Sequence, residues 1–67
     1  MDLTIETELE TDGRWIAEVA ELPGTLAYGE ERTEAIARVQ ALALRVLADR
    51  LEHGETIPHA SFTFVAA

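Results

Sequence analysis

The chain has 67 residues and 7.4 kDa, with no cysteine, no lysine, five arginines and thirteen acidic residues, for a formal net charge of −8. That length accommodates one domain, residues 1–67, which on folding buries only about 60% of the surface its unfolded form exposes. Without cysteine there is no disulfide framework and no thiolate zinc site, so association with other chains is the remaining way to reinforce a marginal core, and a reducing compartment is expected.

Residues 2 to 10 alternate, with Leu3, Ile5, Thr7 and Leu9 on one face and Thr4, Glu6, Glu8 and Glu10 on the other, the pattern of a half-buried strand. Thr11-Asp12-Gly13 is a turn signal, and Arg14 to Glu21 alternates again. A two-residue Asp12-Gly13 turn would pair Glu10 with Trp15 and leave Trp15 and Val19 among glutamates. A three-residue loop with Gly13 in the left-handed conformation pairs Leu9 with Trp15, Thr7 with Ala17 and Ile5 with Val19, and keeps the apolar residues together. This register gathers Glu6, Glu8, Glu10 and Glu18 on the outer face, with Arg14 and Ile16 among them.

Leu22-Pro23-Gly24 breaks the alternation, and Thr25 to Tyr28 reads as a short third strand closed by Gly29. From about Arg32 to Glu52 there is neither Gly nor Pro, and Ala, Leu, Arg and Glu dominate, which predicts one long helix. Its apolar positions, Leu42 at one edge and Leu44 at the other, cover an arc of about 200° at 100° per residue, wider than one sheet face requires. Gly54 is placed to end the helix. Ile57-Pro58 opens a last strand, in which Ala60, Phe62 and Phe64 alternate with Ser61, Thr63 and Val65.

The order β-β-β-α-β makes an α+β domain. A helical connection into a strand of the same sheet is normally a right-handed parallel crossover, so the fourth strand is expected beside the first, in sheet order 3-2-1-4 with the helix packed on one face. The open face and the spare edges of the helix, Leu42 and Leu44, are the expected surfaces of a homo-oligomer, a dimer or tetramer.

The composition narrows the chemistry. Five scattered arginines among thirteen acids give no basic stripe for phosphates, so direct nucleic-acid binding is not expected, and an acidic domain is steered toward basic proteins instead. At 48% apolar the chain is too hydrophobic for a disordered acidic tail. No apolar run approaches the roughly 20 residues of a membrane span, and Met1 to Glu6 lacks the form of a signal peptide, so a cytoplasmic location without membrane contact is expected.

Glu6, Glu8 and Glu18 could be drawn as metal ligands for phosphoryl chemistry, but alternate acids ordinarily mark a solvated sheet face, and His53 and His59 have no metal-ligand spacing. Ser61 lacks a nucleophile elbow, and there is no phosphate loop. Trp15, Tyr28, Phe62 and Phe64 read as core or interface anchors. The residues therefore describe a binding protein without cofactor or metal rather than an enzyme.

The run Asp12-Gly13-Arg14-Trp15 to Glu21-Leu22-Pro23-Gly24, then Gly29-Glu30, Glu34-Ala35-Ile36 and the later Gly54, Ile57 and Pro58, resembles the HicB family of antitoxins in order and spacing over nearly the whole chain. Ala20 stands where the family usually has Pro, and Glu31 where Ser or Thr would cap the helix. The resemblance implies a truncated RNase H-like fold and neutralisation of a HicA-like toxin, a small basic RNase, within a type II toxin–antitoxin system. Glu6, Glu8, Glu10, Ile16 and Glu18 would then be the partner-binding residues. The family's C-terminal DNA-binding domain has no counterpart in these 67 residues, so direct operator binding is not expected. The alternatives are an orphan HicB-like homo-oligomeric module without a toxin and a metal-dependent RNase H-like nuclease.

Overall fold

A computed structural model describes residues 1–57 and 62–67 of the chain. The elements follow the order β1 (Asp2–Leu9), β2 (Trp15–Val19), β3 (Leu26–Gly29), α1 (Arg32–Glu52) and β4 (Thr63–Ala66). They form a four-stranded mixed sheet ordered β3-β2-β1-β4, in which β1–β2 and β2–β3 are antiparallel and β1–β4 is parallel. The sheet order is the one expected from a right-handed parallel crossover, and the helix is the one expected from the breaker-free run. Pro58, His59, Ala60 and Ser61 lie outside the described residues; Ile57, expected to open the last strand, is not in a strand, and β4 begins at Thr63.

The β1–β2 hairpin adopts the three-residue loop. Leu9 pairs with Trp15, Thr7 with Ala17 and Ile5 with Val19. The Glu10 N–H donates to the Arg14 carbonyl at 2.7 Å, and the Gly13 N–H to the Glu10 carbonyl at 3.0 Å. Gly13 has φ of 89°, in the left-handed region where glycine carries no Cβ penalty. Between β2 and β3, Leu22-Pro23-Gly24-Thr25 closes a turn through a 3.0 Å bond from the Thr25 N–H to the Leu22 carbonyl. Pro23 presets φ at the second position, and Gly24, at φ 86°, occupies the third, as a type II turn demands.

Helix α1 packs chiefly against β3 and β2. Ala35, Val39, Ala43 and Leu47, spaced four apart, form its buried row, and meet Leu3, Ile5, Ala17, Val19 and Leu22 in the core. Trp15, Ile36, Phe62 and Phe64 pack around that core half-buried. The small Ala17, Ala35 and Ala43 let helix and sheet approach closely. So does Gly29, where an added Cβ would lie 2.6 Å from the Ala35 backbone nitrogen.

Neither helix end follows the simplest rule. Glu31, at the N-cap, makes no side-chain cap bond. Glu34 reaches back instead, and its Oε1 accepts the N–H of Glu30, one residue before the N-cap, at 2.9 Å, which places a carboxylate at the positive end of the helix dipole. At the other end Gly54 has φ of 81°, its N–H donates to the Leu51 carbonyl at 3.1 Å, and the Glu55 N–H donates to the Arg50 carbonyl at 2.9 Å. That pair of bonds is a Schellman motif.

Candidate functional site: the acidic outer face of the sheet

Because the helix occupies one side of the sheet, every second residue of each strand is left on the other. The register places two rows across this outer face. One runs Glu8–Ile16–Tyr28 and the next Glu6–Glu18–Leu26, from β1 through β2 to β3. On β4, Val65 lies beside Thr4 on the same face and is exposed.

Glu6, Thr7, Glu8, Ile16 and Glu18 line a shallow depression of about 180 Å³, open to solvent. Ile16 is half-buried and the three glutamates are exposed, so an apolar floor is rimmed by carboxylates. Four of the five residues expected to bind a partner, Glu6, Glu8, Ile16 and Glu18, are thus brought together. Glu10 is not. It is half-buried one residue beyond β1, with its backbone committed to the hairpin turn, and it does not line the depression.

Two features of this face were not among the expected site residues. Tyr28 stands beside Ile16, and the Arg14 guanidinium lies over its ring, 4.4 Å from the centroid. Arg14 is held there by Asp12, whose Oδ2 accepts the Arg14 Nε–H at 2.8 Å and whose Oδ1 accepts the Arg14 backbone N–H at 3.1 Å. These bonds, the backbone one foremost, keep the Asp12 carboxyl below its usual pKa. The alternation of β3 could have placed Tyr28 outward, since Ala27 and Gly29 are the residues small enough to lie beneath the helix.

The second feature is Glu21, just past β2. Its Oε1 accepts the Thr4 backbone N–H at 2.6 Å and its Oε2 accepts the Thr4 hydroxyl at 2.8 Å. Both bonds favour the carboxylate and hold its pKa below the ordinary glutamate value. Glu21 clamps the Ala20–Leu22 corner onto the start of β1. It is a structural carboxylate beside the acidic face, and nothing in its local sequence distinguishes it from the solvated acids.

Among the described residues, no three His, Asp or Glu side chains converge on a point where a metal ion could be held. His53 is at the helix C-terminus, its Nδ1 2.8 Å from the Asp49 carbonyl oxygen and 3.3 Å from Asp49 Oδ1, remote in role from the sheet face. Nor, among those residues, is any helix long and apolar enough to cross a membrane. At the helix, Leu44 is exposed whereas Leu42 is half-buried, so only one of the two expected association residues projects fully into solvent.

Neither a protein-family model, nor a curated protein, nor a solved structure matches this chain.

Proposed function

We propose that the protein is a HicB-like antitoxin, a non-enzymatic cytoplasmic protein whose outer sheet face covers the basic surface of a small HicA-like RNase toxin. The carrying observation is the depression in which Glu6, Glu8 and Glu18 rim Ile16. Carboxylates at such spacing suit guanidinium and ammonium groups that would otherwise grip RNA phosphates, and the apolar floor admits one aliphatic or aromatic anchor. Charge at the rim raises the association rate and selects basic partners.

Two further facts support the reading. Glu6 and Glu18 lie directly across the β1–β2 ladder, and a like-charge cross-strand pair is destabilising in the free protein. A basic partner relieves that repulsion, so part of the binding free energy comes from a cost already present. The strand order and single helix also agree with the order that the resemblance implies, although that agreement bears on the fold and not on the partner.

The test is a titration against a HicA-like toxin made inactive at its catalytic histidine. Binding is expected to weaken as salt rises from about 50 to 500 mM, because rim charges are screened over roughly 10 Å at 0.1 M. The double change Glu8→Lys with Glu18→Lys should reduce affinity by roughly ten-fold or more, since like-charge contacts at an interface cost several kcal/mol. The change Glu55→Lys, beyond the helix, should leave it unaltered. Equal affinity for all three proteins would refute the assignment of this face.

A further inference from the structure

The solvent side of α1 carries an apolar stripe beside its charged residues. Ala37, Ala41, Leu44, Ala48 and Leu51 are all exposed, and they follow one another at steps of four, three, four and three residues. That is the spacing of a coiled-coil seam. The two leucines are 51% and 56% exposed, although the same helix already buries a complete row of Ala35, Val39, Ala43 and Leu47 against the sheet. The helix therefore carries two apolar stripes, one used within the chain and one uncovered. The second spans about 21 Å at 1.5 Å per residue.

The charges beside this stripe indicate what covers it. From Ala35 to Ala48 the helix has no acidic residue, in a chain whose thirteen acids otherwise give a net charge of −8. This is the part of the surface where a second copy meets least repulsion. One flank reads Arg38, Arg45 and Glu52 at intervals of seven. All three are exposed. Side by side and parallel, two copies would leave that flank facing uncharged Thr33 and Gln40, with Leu47 buried in the core, and so without ion pairs.

Antiparallel, one register stands out. With Leu44 against Ala48 of the second copy and Ala41 against its Leu51, every leucine of the seam meets an alanine, so large and small side chains interdigitate. The same register sets Arg38 opposite Glu52 twice, by symmetry, with Arg45 meeting its own equivalent at the two-fold axis. A shift by one heptad in one direction would set Arg38 against Arg45 and bury Glu34 against Leu51; in the other it would pair Arg45 with Glu52 but leave Leu44 against Glu55, beyond the helix end. Arg38 can serve the contact while keeping its present partners: its Nη1 donates to the Tyr28 carbonyl at 2.9 Å and lies 3.5 Å from Glu34 Oε1, and the side chain remains 59% exposed. Five N–H donors are available to it.

We infer that the protein forms an antiparallel, two-fold symmetric dimer through Ala37, Ala41, Leu44, Ala48 and Leu51, with Arg38 paired to Glu52 of the second copy. The contact leaves the outer sheet faces of both copies free, since they lie on the opposite side of each sheet. It stands independently of any toxin.

The absence of cysteine makes the test direct. Single variants Arg45→Cys and Ala37→Cys are oxidised by air or copper–phenanthroline, and the yield of covalent dimer is read on a non-reducing gel. The antiparallel register brings position 45 to its own equivalent and holds the two copies of position 37 at opposite ends of the seam, so only Arg45→Cys should cross-link efficiently. A parallel seam, which sets position 45 against position 40 rather than against its own equivalent, would cross-link Ala37→Cys instead, and an uncovered stripe neither, and either result overturns the proposal. Light scattering on the unmodified protein should give twice 7.4 kDa. Leu44→Glu should raise the dimer dissociation constant about 30-fold or more, as for a central interface anchor. Arg38→Glu and Glu52→Arg should each weaken the dimer and restore it when combined. Failure of the combined variant to recover, with both singles still folded by circular dichroism, would remove the Arg38–Glu52 pairing.

Discussion

At the scale of single residues, the positions that matter most are those where a small or charged side chain has one specific task. Gly29 is buried where the helix crosses the end of β3, and a Cβ there would meet backbone rather than a flexible side chain. Gly29→Ala is therefore expected to cost about 1–3 kcal/mol, as other overpacking substitutions do. For a domain of this size that lowers the thermal midpoint by at least about 4 °C. The glycine was legible in the sequence as the end of a strand, but not as a close approach, because which helical turn passes over it is decided by tertiary packing. Glu21 was less legible still. Its two bonds to Thr4 connect residues distant in sequence, and among so many glutamates its carboxylate carries no local mark. Since its pKa in the folded state is below the unfolded value, its contribution is present above pH of about 4.5 and is lost as pH falls through the folded value. Thermal midpoints measured from about pH 6 down to 3 should consequently fall less steeply for Glu21→Gln than for the unmodified protein. Equal slopes would show that the clamp does not form in solution.

At the scale of elements, most of the architecture is legible in the amino-acid sequence. The hairpin register followed from one demand, that Trp15 and Val19 share a face with Leu9 and Ile5, because a slip of one residue would put Trp15 and Val19 among the glutamates. The helix bounds followed from Gly29 and Gly54 on either side of a run without breakers. Its caps followed less well. Glu31 offers no cap, and the compensation by Glu34 depends on a bond to the backbone of Glu30, outside the helix. The C-terminal Schellman motif depends on Gly54 at positive φ, so Gly54→Ala should cost about 1–2 kcal/mol, the usual penalty for an L side chain in the left-handed region. Urea denaturation of that variant should show a lower midpoint with an unchanged slope. The width of the apolar arc on the helix was also visible, but it merged two stripes. Only packing against β3 and β2 separates the row from Ala35 to Leu47, which is buried, from the row from Ala37 to Leu51, which is not.

At the scale of the whole molecule, the sheet order followed from the handedness of the crossover, and the outer face followed from the register. What the sequence could not place was Glu10, because strand pairing ends one residue earlier, at Leu9. The radius of gyration is 12.5 Å, against about 11 Å expected for a compact chain of 67 residues. One helix on a four-stranded sheet leaves an elongated body with two distinct faces, the carboxylate-rimmed depression on the sheet and the uncharged seam on the helix. The first is assigned to a basic partner and the second to another copy. The basic partner is the central assignment. The most direct measurement is an amide NMR titration of the 15N-labelled protein with the inactive HicA-like toxin. The largest shifts should fall on Glu6, Glu8, Ile16, Glu18 and Tyr28, with Ala37 to Leu51 unmoved, and Glu8→Lys with Glu18→Lys should need roughly ten-fold more toxin, or more, to reach the same shifts. Shifts confined to the helix, or no shifts at toxin concentrations up to about 1 mM, a weak-binding limit of roughly −4 kcal/mol, would contradict that assignment.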